Sequence, residues 1–343
     1  MVPSTTRCLM LMPPDSGRRA GRPWGFWTRG KLDILRRYLE AFTTASKSAD
    51  ERVYIDAFAG EPHNFDRLTG EDIEGSARIA LTIDDPPLTR LRFFEKEHIA
   101  IRLEEVLRRD FANRDFKVIA GDCNETIPLE LRKLRRFGWA PTFAFLDQNT
   151  LEAEWRTIET LADFKAGRPY KVELFLLFSP SMFVRLLPTQ GRSVSERDAE
   201  RITKMYGTDQ WRHIYVSRLQ DELTPEQAQF EYLNLMRWRL ENELGYQRTH
   251  ALAIGNERGR VIYHMVFATD HPAGDRIMRY LYRMAAEEFP KMREEARRSR
   301  QIKEEEQSGI QRLFSDEDLQ SISKEGEHSY EHEPPTRPWF FRD

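Results

Sequence analysis

The chain has 343 residues, which is more than one small domain usually holds and predicts one large domain with an insertion, or two domains. Charged residues make up 32% of the chain, but the formal net charge is only -3, so the chain as a whole lacks the polybasic character of general nucleic-acid binders. Cys8 and Cys123 are too few for a disulfide framework or a zinc site of their own, and they fit a reducing compartment, which favours the cytoplasm.

The first elements in chain order are a disordered segment and a helix. Residues 1–23 are predicted to be disordered, and their apolar run is too short for a secretion signal. No run approaches the length of a membrane span, so a membrane partner lacks support. Leu32, Leu35, Leu39 and Phe42 then recur at helical spacing, which predicts an amphipathic helix covering one face of a sheet.

Five short apolar runs, rich in β-branched and aromatic residues, alternate with segments of helical pattern. The runs are RVYIDAF, LRFFE, FKVIAGD, PTFAFLD and VELFLLFS. Strands that alternate with helices pair in parallel, because parallel strands need long crossovers. Continuous apolarity within each run indicates burial on both faces. The runs therefore predict a doubly wound, Rossmann-like α/β sheet.

Four of these five runs place an acidic residue at or near their carboxyl end, at Asp56, Glu95, Asp122 and Asp147. The carboxyl ends of parallel strands meet at one edge of the sheet, which is where doubly wound folds bind their ligands. The sequence therefore predicts a ligand cleft lined by these acids.

After the fifth run the pattern becomes helical over residues 181–247, which predicts a helical insertion. The runs THALAIGN and VIYHMVFAT follow, and the turn between them contains Gly259, so they are expected to form a hairpin and complete a seven-stranded sheet. A last helix begins near Pro272 and closes an α/β domain over residues 24–290. Residues 291–343 are predicted to form a charged helix and a disordered tail.

Five parallel strands and a terminal hairpin are the arrangement of class I methyltransferases, and a closer resemblance lies in the motifs. The chain resembles the three-Cys-motif partner protein family in FWTRGKLDILRRYL, YIDAFAGEP, GSARIAL, RFFEKE, GDCNETIP, FAFLD and YHMVFATDHPAGDRIM. The resemblance implies a methyltransferase fold that uses S-adenosylmethionine, and a partner with three clustered cysteines encoded nearby. It does not imply a particular reaction.

The first motif, YIDAFAGEP, suits the methionine end of such a cofactor. Asp56 would end the first strand, Gly60 would let the backbone approach a ligand, and the free N–H groups of the next helix would favour a carboxylate. The alternative is that Asp56 caps a turn and Gly60 only bends the chain. Residues 61–74 are expected to fold over the site as a long loop, with Ser76 as the N-cap of the next helix.

The second and third motifs suit the nucleoside end. Glu95 could accept hydrogen bonds from both ribose hydroxyls, and the alternative is a solvated charge at the sheet edge. It lies 35 residues beyond Gly60, too far for a dinucleotide fingerprint, and a nicotinamide enzyme is disfavoured. Asp122 could accept from the adenine amine, Asn124 is expected to cap the next helix, and Cys123 is expected to pack rather than react. The candidate cofactor residues are Asp56, Phe58, Gly60, Glu95, Lys96, Asp122 and Cys123.

The fourth motif, FLDQNT, supplies the catalytic candidates Asp147, Gln148 and Asn149. Amino methyltransferases place an Asp or Asn before prolines here, and the partner family usually shows an Asp-Pro turn. Asp147 remains as a hydrogen-bond acceptor or general base, or as the N-cap of the next helix, and Gln148 and Asn149 could bind an amide or a base edge. Because the rigid proline is missing, a changed acceptor and a lost activity both stay open.

Arg185 follows the fifth run, where the family also tends to show an arginine, and it could face a substrate phosphate or carboxylate or pair with an acid. No residue spacing indicates a metal site. The first hypothesis is a methyltransferase that uses S-adenosylmethionine and acts with a three-Cys-motif partner, with nucleic acid among its candidate acceptors. The alternative is a non-catalytic nucleotide- or protein-binding partner in phage defence or nucleic-acid modification.

Overall fold

The computed structural model describes residues 22–66, 69–189, 193–256, 258–308 and 330–341. The strands are β1 (Arg22–Trp24), β2 (Val53–Asp56), β3 (Asn64–Asp66), β4 (Asp72–Ile73), β5 (Arg90–Glu95), β6 (Phe116–Ala120), β7 (Thr142–Leu146), β8 (Glu173–Phe178), β9 (Arg248–Gly255) and β10 (Val261–Thr269). The helices are α1 (Phe26–Ala45), α2 (Ser76–Thr82), α3 (Glu97–Asp110), α4 (Cys123–Leu134), α5 (Trp155–Asp163), α6 (Pro180–Leu186), α7 (Glu196–Tyr206), α8 (Trp211–Leu219), α9 (Pro225–Asn242) and α10 (Pro272–Ser308).

A seven-stranded sheet forms the centre of the protein, in the order β6-β5-β2-β7-β8-β10-β9. The first five strands of that order run parallel, and β10 pairs antiparallel with both β8 and β9. Every residue of β2, β7 and β8 is buried, because helices cover both faces of these strands. The predicted doubly wound sheet with a C-terminal hairpin is confirmed.

Two apolar clusters lie on opposite faces of the sheet, as the alternation of side chains along a strand requires. Tyr54 and Phe143 belong to the cluster that contains α1, α2, α3 and α10. Ile55 and Ala144 belong to the cluster that contains α4, α5 and the helices between β8 and β9. The expected amphipathic helix is α1, whose predicted apolar stripe is buried against the sheet.

The N-terminal part of the chain forms a second sheet of three strands, in the order β1-β3-β4. The segment expected to be a long loop, residues 61–74, therefore carries two short strands, and β3 pairs with β1. Of the segment predicted to be disordered, residues 1–21 lie outside the described residues, while Arg22 and Pro23 belong to β1 and correct that prediction at its end.

The insertion between β8 and β9 is helical in its described residues and contains α6, α7, α8 and α9. Two of its helices, α7 and α9, have side-chain N-terminal caps. The Ser195 hydroxyl accepts from the backbone N–H of Asp198, and Thr224 and Gln227 form a reciprocal capping box at the start of α9. The insertion is therefore held by local signals as well as by its buried face.

The C-terminal segment 330–341 packs against the domain, so the predicted disordered tail is wrong for these residues, while 309–329 lie outside the described residues. The Asn234 amide forms two hydrogen bonds of 2.9 Å with the backbone N–H and C=O of Thr336. The Tyr330 hydroxyl lies 2.8 Å from His250 Nδ1, on the edge strand β9. Buried side chains on distant elements thus fix a segment whose composition indicates disorder.

The final helix, α10, continues without a break through residue 290, where a boundary between a domain helix and a charged helix was expected. None of the helices in the described part of the chain combines the length and apolar character that a bilayer crossing requires.

Candidate functional site

A cavity of about 1450 Å³ opens at the carboxyl ends of β2, β5, β6 and β7, the edge predicted from the four acids. Its floor is formed by the turns that follow these strands, and its opposite wall comes from β1, α1 and β10. Pockets for one small molecule usually measure roughly 300–1,000 Å³. The cavity is therefore large enough for a cofactor and for part of a second ligand.

Asp56 lies beneath the turn after β2 and is fully buried, so it does not line the cavity. Its carboxylate accepts hydrogen bonds from the backbone N–H of Phe58 and from the Tyr54 hydroxyl, each at 3.2 Å. Burial raises the pKa of Asp56 to about 7, and the nearby charge of Asp147 acts in the same direction. The Asp56 side chain therefore stabilises the turn by accepting from its backbone, as in the alternative interpretation, and the predicted direct contact with a cofactor is wrong.

The same turn exposes Phe58 and Gly60 to the cavity. Gly60 has a φ of +75°, a conformation that favours glycine, and a Cβ added there would meet no atom within 4 Å. The N-cap of the following helix α2 is Gly75, and Ser76 is its first residue, so the predicted Ser76 cap is wrong. Ser76 instead lines the cavity and its side chain hydrogen bonds to Asp56.

Glu95 lies at the end of β5 with its carboxylate held by two backbone donors. The N–H of Gly60 donates to Oε2 at 2.9 Å, and the N–H of Lys96 donates to Oε1 at 2.8 Å. Each carboxylate oxygen keeps a further lone pair for a ligand hydroxyl, and Glu95 lines the cavity. The neighbouring Lys96 ammonium forms an ion pair with the Glu152 carboxylate at 3.1 Å, so it is engaged by the protein itself.

Asp122 caps α4 after β6, because its Oδ1 accepts from the backbone N–H of Asn124 at 2.8 Å. The predicted cap, Asn124, is buried instead and donates to the Glu152 carbonyl at 2.8 Å. Asp122 is exposed at the cavity, beside the buried Cys123. Burial raises the pKa of the Cys123 thiol to about 12, so the thiol is neutral at neutral pH and unsuited to nucleophilic chemistry.

The turn after β7 contains an ion pair that brings together distant parts of the chain. The ammonium of Lys31, on α1, contacts Oδ2 of Asp147, 116 residues later in the chain. The Lys31 side chain is only 7% exposed, and the Asp147 side chain is 23% exposed to the cavity. The next helix, α5, has Glu154 as its N-cap, so the alternative that Asp147 caps this helix is wrong.

Gln148 is a structural residue of this turn. Its Nε2 donates to the Leu177 carbonyl at 3.1 Å, and its Oε1 accepts from the N–H groups of Glu152 and Ala153, both at 3.0 Å. These bonds hold the turn without the proline that the partner family usually has there. They engage both ends of the Gln148 amide with the backbone, although Gln148 also lines the cavity. Asn149 is exposed and lines the cavity, and its contact with a substrate stays a prediction.

Arg185 is exposed on α6 and is absent from the cavity wall, so the structure does not bring it to the other candidates. The wall instead contains residues that the sequence reasoning missed, namely Trp24, Trp27, Lys31 and Tyr263. Burial of Lys31 could have been predicted from the sequence, because it lies four residues before Leu35, on the apolar face of α1. A lysine in that register needs a buried partner.

Within the part of the chain that the structure describes, no group of three or more His, Cys, Asp or Glu side chains could hold a metal ion.

Comparison with known proteins gives structural likenesses alone. No protein-family model and no curated protein matches the chain. Among solved structures, the chain is similar to the methyltransferase domain of bacterial-CtHen1-C, at 10% identity and a TM-score of 0.32, over 68% of this chain and 98% of that chain. It is also similar to the methyltransferase domain of bacterial-CtHen1-CN, at 10% identity and a TM-score of 0.33, over 69% and 99% of the two chains. Likenesses this weak establish neither a family nor an activity.

Proposed function

We propose that the protein binds S-adenosylmethionine in the cavity and transfers its methyl group to an acceptor beside Asp147. The observation that carries this proposal is the Glu95 carboxylate, which two backbone N–H groups fix at the cavity floor with lone pairs left over. Two adjacent ribose hydroxyls need such an acceptor pair. The order of the seven strands, with an antiparallel hairpin at one end, is also that of class I methyltransferases.

The other floor residues fit the remaining parts of that cofactor. Asp122 is exposed at the cavity and its carboxylate could accept from the adenine amine. The turn from Phe58 to Gly60 presents backbone to the methionine end, and Gly60 leaves open space where a side chain would project. When bound, S-adenosylmethionine supplies an electrophilic methyl group. The protein then has to hold an acceptor in line with that group and keep water away.

Asp147 is the residue best placed to orient an acceptor. Lys31 contacts its Oδ2, so Oδ1 can accept a hydrogen bond from an N–H or O–H group in the cavity. Because Lys31 engages one carboxylate oxygen and leaves the other to the cavity, Asp147 is suited to orienting an acceptor through a hydrogen bond.

A non-catalytic role is the second candidate, and the same turn favours it. Asp147 is already paired with Lys31, and both ends of the Gln148 amide bond the surrounding backbone. A site arranged in this way could bind the cofactor or a nucleotide without transferring a methyl group. In either role we propose that the protein acts in the cytoplasm with a three-Cys-motif partner, which the resemblance in the sequence motifs supports. A gene for such a protein beside this one is the first check.

Calorimetric titration with S-adenosylmethionine tests the proposed cofactor, and absence of binding to the wild-type protein would contradict it. If the cofactor binds, incubation of the protein with methyl-tritiated cofactor and separate RNA, DNA and protein fractions of a cell extract identifies the acceptor. Label in one fraction supports the transferase, and absence of label from every fraction supports the non-catalytic role.

A further inference from the structure

The cavity has a second region, where α1 and β10 meet the turn after β7, which we call the acceptor end. It is lined by Trp24, Trp27, Lys31, Asp147 and Tyr263. The cavity of about 1450 Å³ exceeds the roughly 300–1,000 Å³ of single-ligand pockets, so this region stays available when a nucleoside cofactor occupies the floor.

Aromatic side chains form the walls of the acceptor end and are held in place. A Cβ on Gly25 would lie 2.5 Å from a ring carbon of Trp27, so the indole packs directly on the backbone of that glycine. The Tyr263 hydroxyl donates to the Trp27 carbonyl at 3.0 Å, which ties β10 to the start of α1. Trp24 and Trp27 are half-buried and line the cavity. Walls of this kind stack on flat, unsaturated rings.

The polar groups of the acceptor end have no net charge. The ammonium of Lys31 and the carboxylate of Asp147 form an ion pair, and the Lys31 ammonium lies 6.0 Å from the centre of the Tyr263 ring. A cationic amine entering here would meet a carboxylate that is already neutralised and an ammonium that repels it. The pair also places N–H donors and a carboxylate acceptor side by side, as the edge of a hydrogen-bonding ring requires.

We propose that the acceptor end recognises an uncharged heteroaromatic ring with hydrogen-bond donors and acceptors in its plane, as a nucleobase has, and that it rejects cationic amines such as a lysine side chain. This inference rests on the proposed function for the statement that the bound ring is the methyl acceptor. Its recognition chemistry rests only on the residues that line the region.

Binding measurements test the recognition without relying on turnover. The probes are cytidine, a short single-stranded RNA of mixed sequence, and a lysine-containing peptide with as many residues as the RNA has nucleotides. Each probe is titrated into the protein with saturating S-adenosylhomocysteine present. Cytidine is used because it lacks adenine, and saturating S-adenosylhomocysteine keeps its ribose from the Glu95 carboxylate. We expect cytidine or the RNA to bind at least about tenfold more tightly than the peptide. If cytidine and the RNA bind equally tightly per base, the natural ligand of the acceptor end is a free nucleoside. If the RNA binds more tightly, the natural ligand is a nucleic-acid polymer.

Lys31→Met provides the sharpest variant, because it removes the ammonium and leaves the Asp147 carboxylate exposed to the ligand. Cytidine affinity should fall by about tenfold and peptide affinity should rise by about tenfold. Lys47→Met makes the same chemical change at an exposed site outside the cavity and should change neither. The double variant Lys31→Met, Asp147→Asn removes both charges, so the gain in peptide affinity should disappear, which a general loss of folding would not produce.

The outcomes separate this inference from the proposed function. If S-adenosylhomocysteine fails to bind while cytidine binding still depends on Lys31, the proposed function fails and the recognition stands. If S-adenosylhomocysteine binds and the peptide binds as tightly as cytidine and RNA, the recognition is overturned and the proposed function stands. Equal peptide affinity in wild type and Lys31→Met would also overturn it.

Discussion

The floor and the acceptor end of the cavity use acidic residues in different ways. At the floor, Glu95 and Asp122 accept hydrogen bonds from backbone N–H groups of the adjoining turns. At the acceptor end, Asp147 is held by the side chain of Lys31, 116 residues away in the chain. A site fixed by backbone is insensitive to substitution of neighbouring side chains, whereas a site fixed by one ion pair changes its charge with a single substitution.

The two regions should therefore respond differently to substitution. A backbone-bound carboxylate stays in place as long as the strands and turns form, and the two oxygens of Glu95 are positioned together. The ion pair between α1 and the turn after β7 depends on two side chains, so a single substitution removes it.

Removing the Glu95 carboxylate tests the floor. Hydrogen bonds to charged groups are each worth about 1.5–3 kcal/mol, so Glu95→Ala should weaken S-adenosylmethionine binding by roughly 100-fold or more. Glu97→Ala is the control. It removes an exposed carboxylate two residues later, at the start of α3 and outside the cavity wall, and it should leave the affinity unchanged. The measurement is calorimetric titration of both variants. Equal affinity for the two would remove Glu95 from the site.

Asp56 should make stability depend on pH. Its folded pKa of about 7 lies above the ordinary value of 3.8, so the folded state binds the proton more tightly than the unfolded state does. The stabilisation is complete below about pH 4 and is lost as the pH rises through about 7, a change on the order of a few kcal/mol.

Asp56→Asn is uncharged throughout this range and should lose this part of the pH dependence. Urea unfolding at about pH 4.5 and about pH 7.5 should therefore show the variant gaining stability over wild type at the higher pH. Asp50→Asn, at an exposed position, is the control and should follow wild type. If the free energy of unfolding changes by the same amount with pH in wild type and Asp56→Asn, the pKa of Asp56 is not raised by folding.

The acceptor end should show coupling between Lys31 and Asp147. Removing one partner of a well-buried pair costs about 3–5 kcal/mol, and we expect about 2 kcal/mol here because Asp147 is partly exposed. A double-mutant cycle with Lys31→Met and Asp147→Asn, followed by urea unfolding, should give a double variant more stable than the sum of the single effects. Simple additivity would mean that the pair does not interact in solution.

Gly60 should show a small loss of stability and a separate loss of binding. An alanine at its φ of +75° costs about 1–2 kcal/mol of strain without any steric clash. Gly167→Ala is a matched control, because Gly167 has a φ of +78°, also has open space around its Cβ, and lies outside the cavity wall. Both variants should lose similar stability in urea unfolding, but only Gly60→Ala should lose cofactor affinity. Equal affinities would show that the turn does not contact the cofactor.

The sheet and the position of the cavity could be predicted because their signals are local. Continuous apolar runs predict parallel strands, buried throughout in β2, β7 and β8, and the acids that follow four of the runs mark the edge where ligands bind. Glu95 is correctly placed at that edge by its position in β5 alone. The same logic correctly places the antiparallel hairpin β9 and β10.

The features that escaped prediction depend on contacts between distant residues. Gln148 lies in a promising motif, but its amide is engaged by the Leu177 carbonyl on β8. Asp56 ends its strand as expected, yet the turn folds over it and removes it from the cavity. The segment 330–341 is held by Asn234 on α9, which its own composition cannot reveal.

A crystal structure with S-adenosylhomocysteine tests the central claim most directly, because it locates the nucleoside relative to Glu95. We expect both ribose hydroxyls to lie within hydrogen-bond distance, about 2.5–3.2 Å, of the Glu95 carboxylate oxygens, with the sulfur directed toward Asp147. A nucleoside bound away from Glu95, or a protein that remains without ligand at saturating concentration, would contradict it.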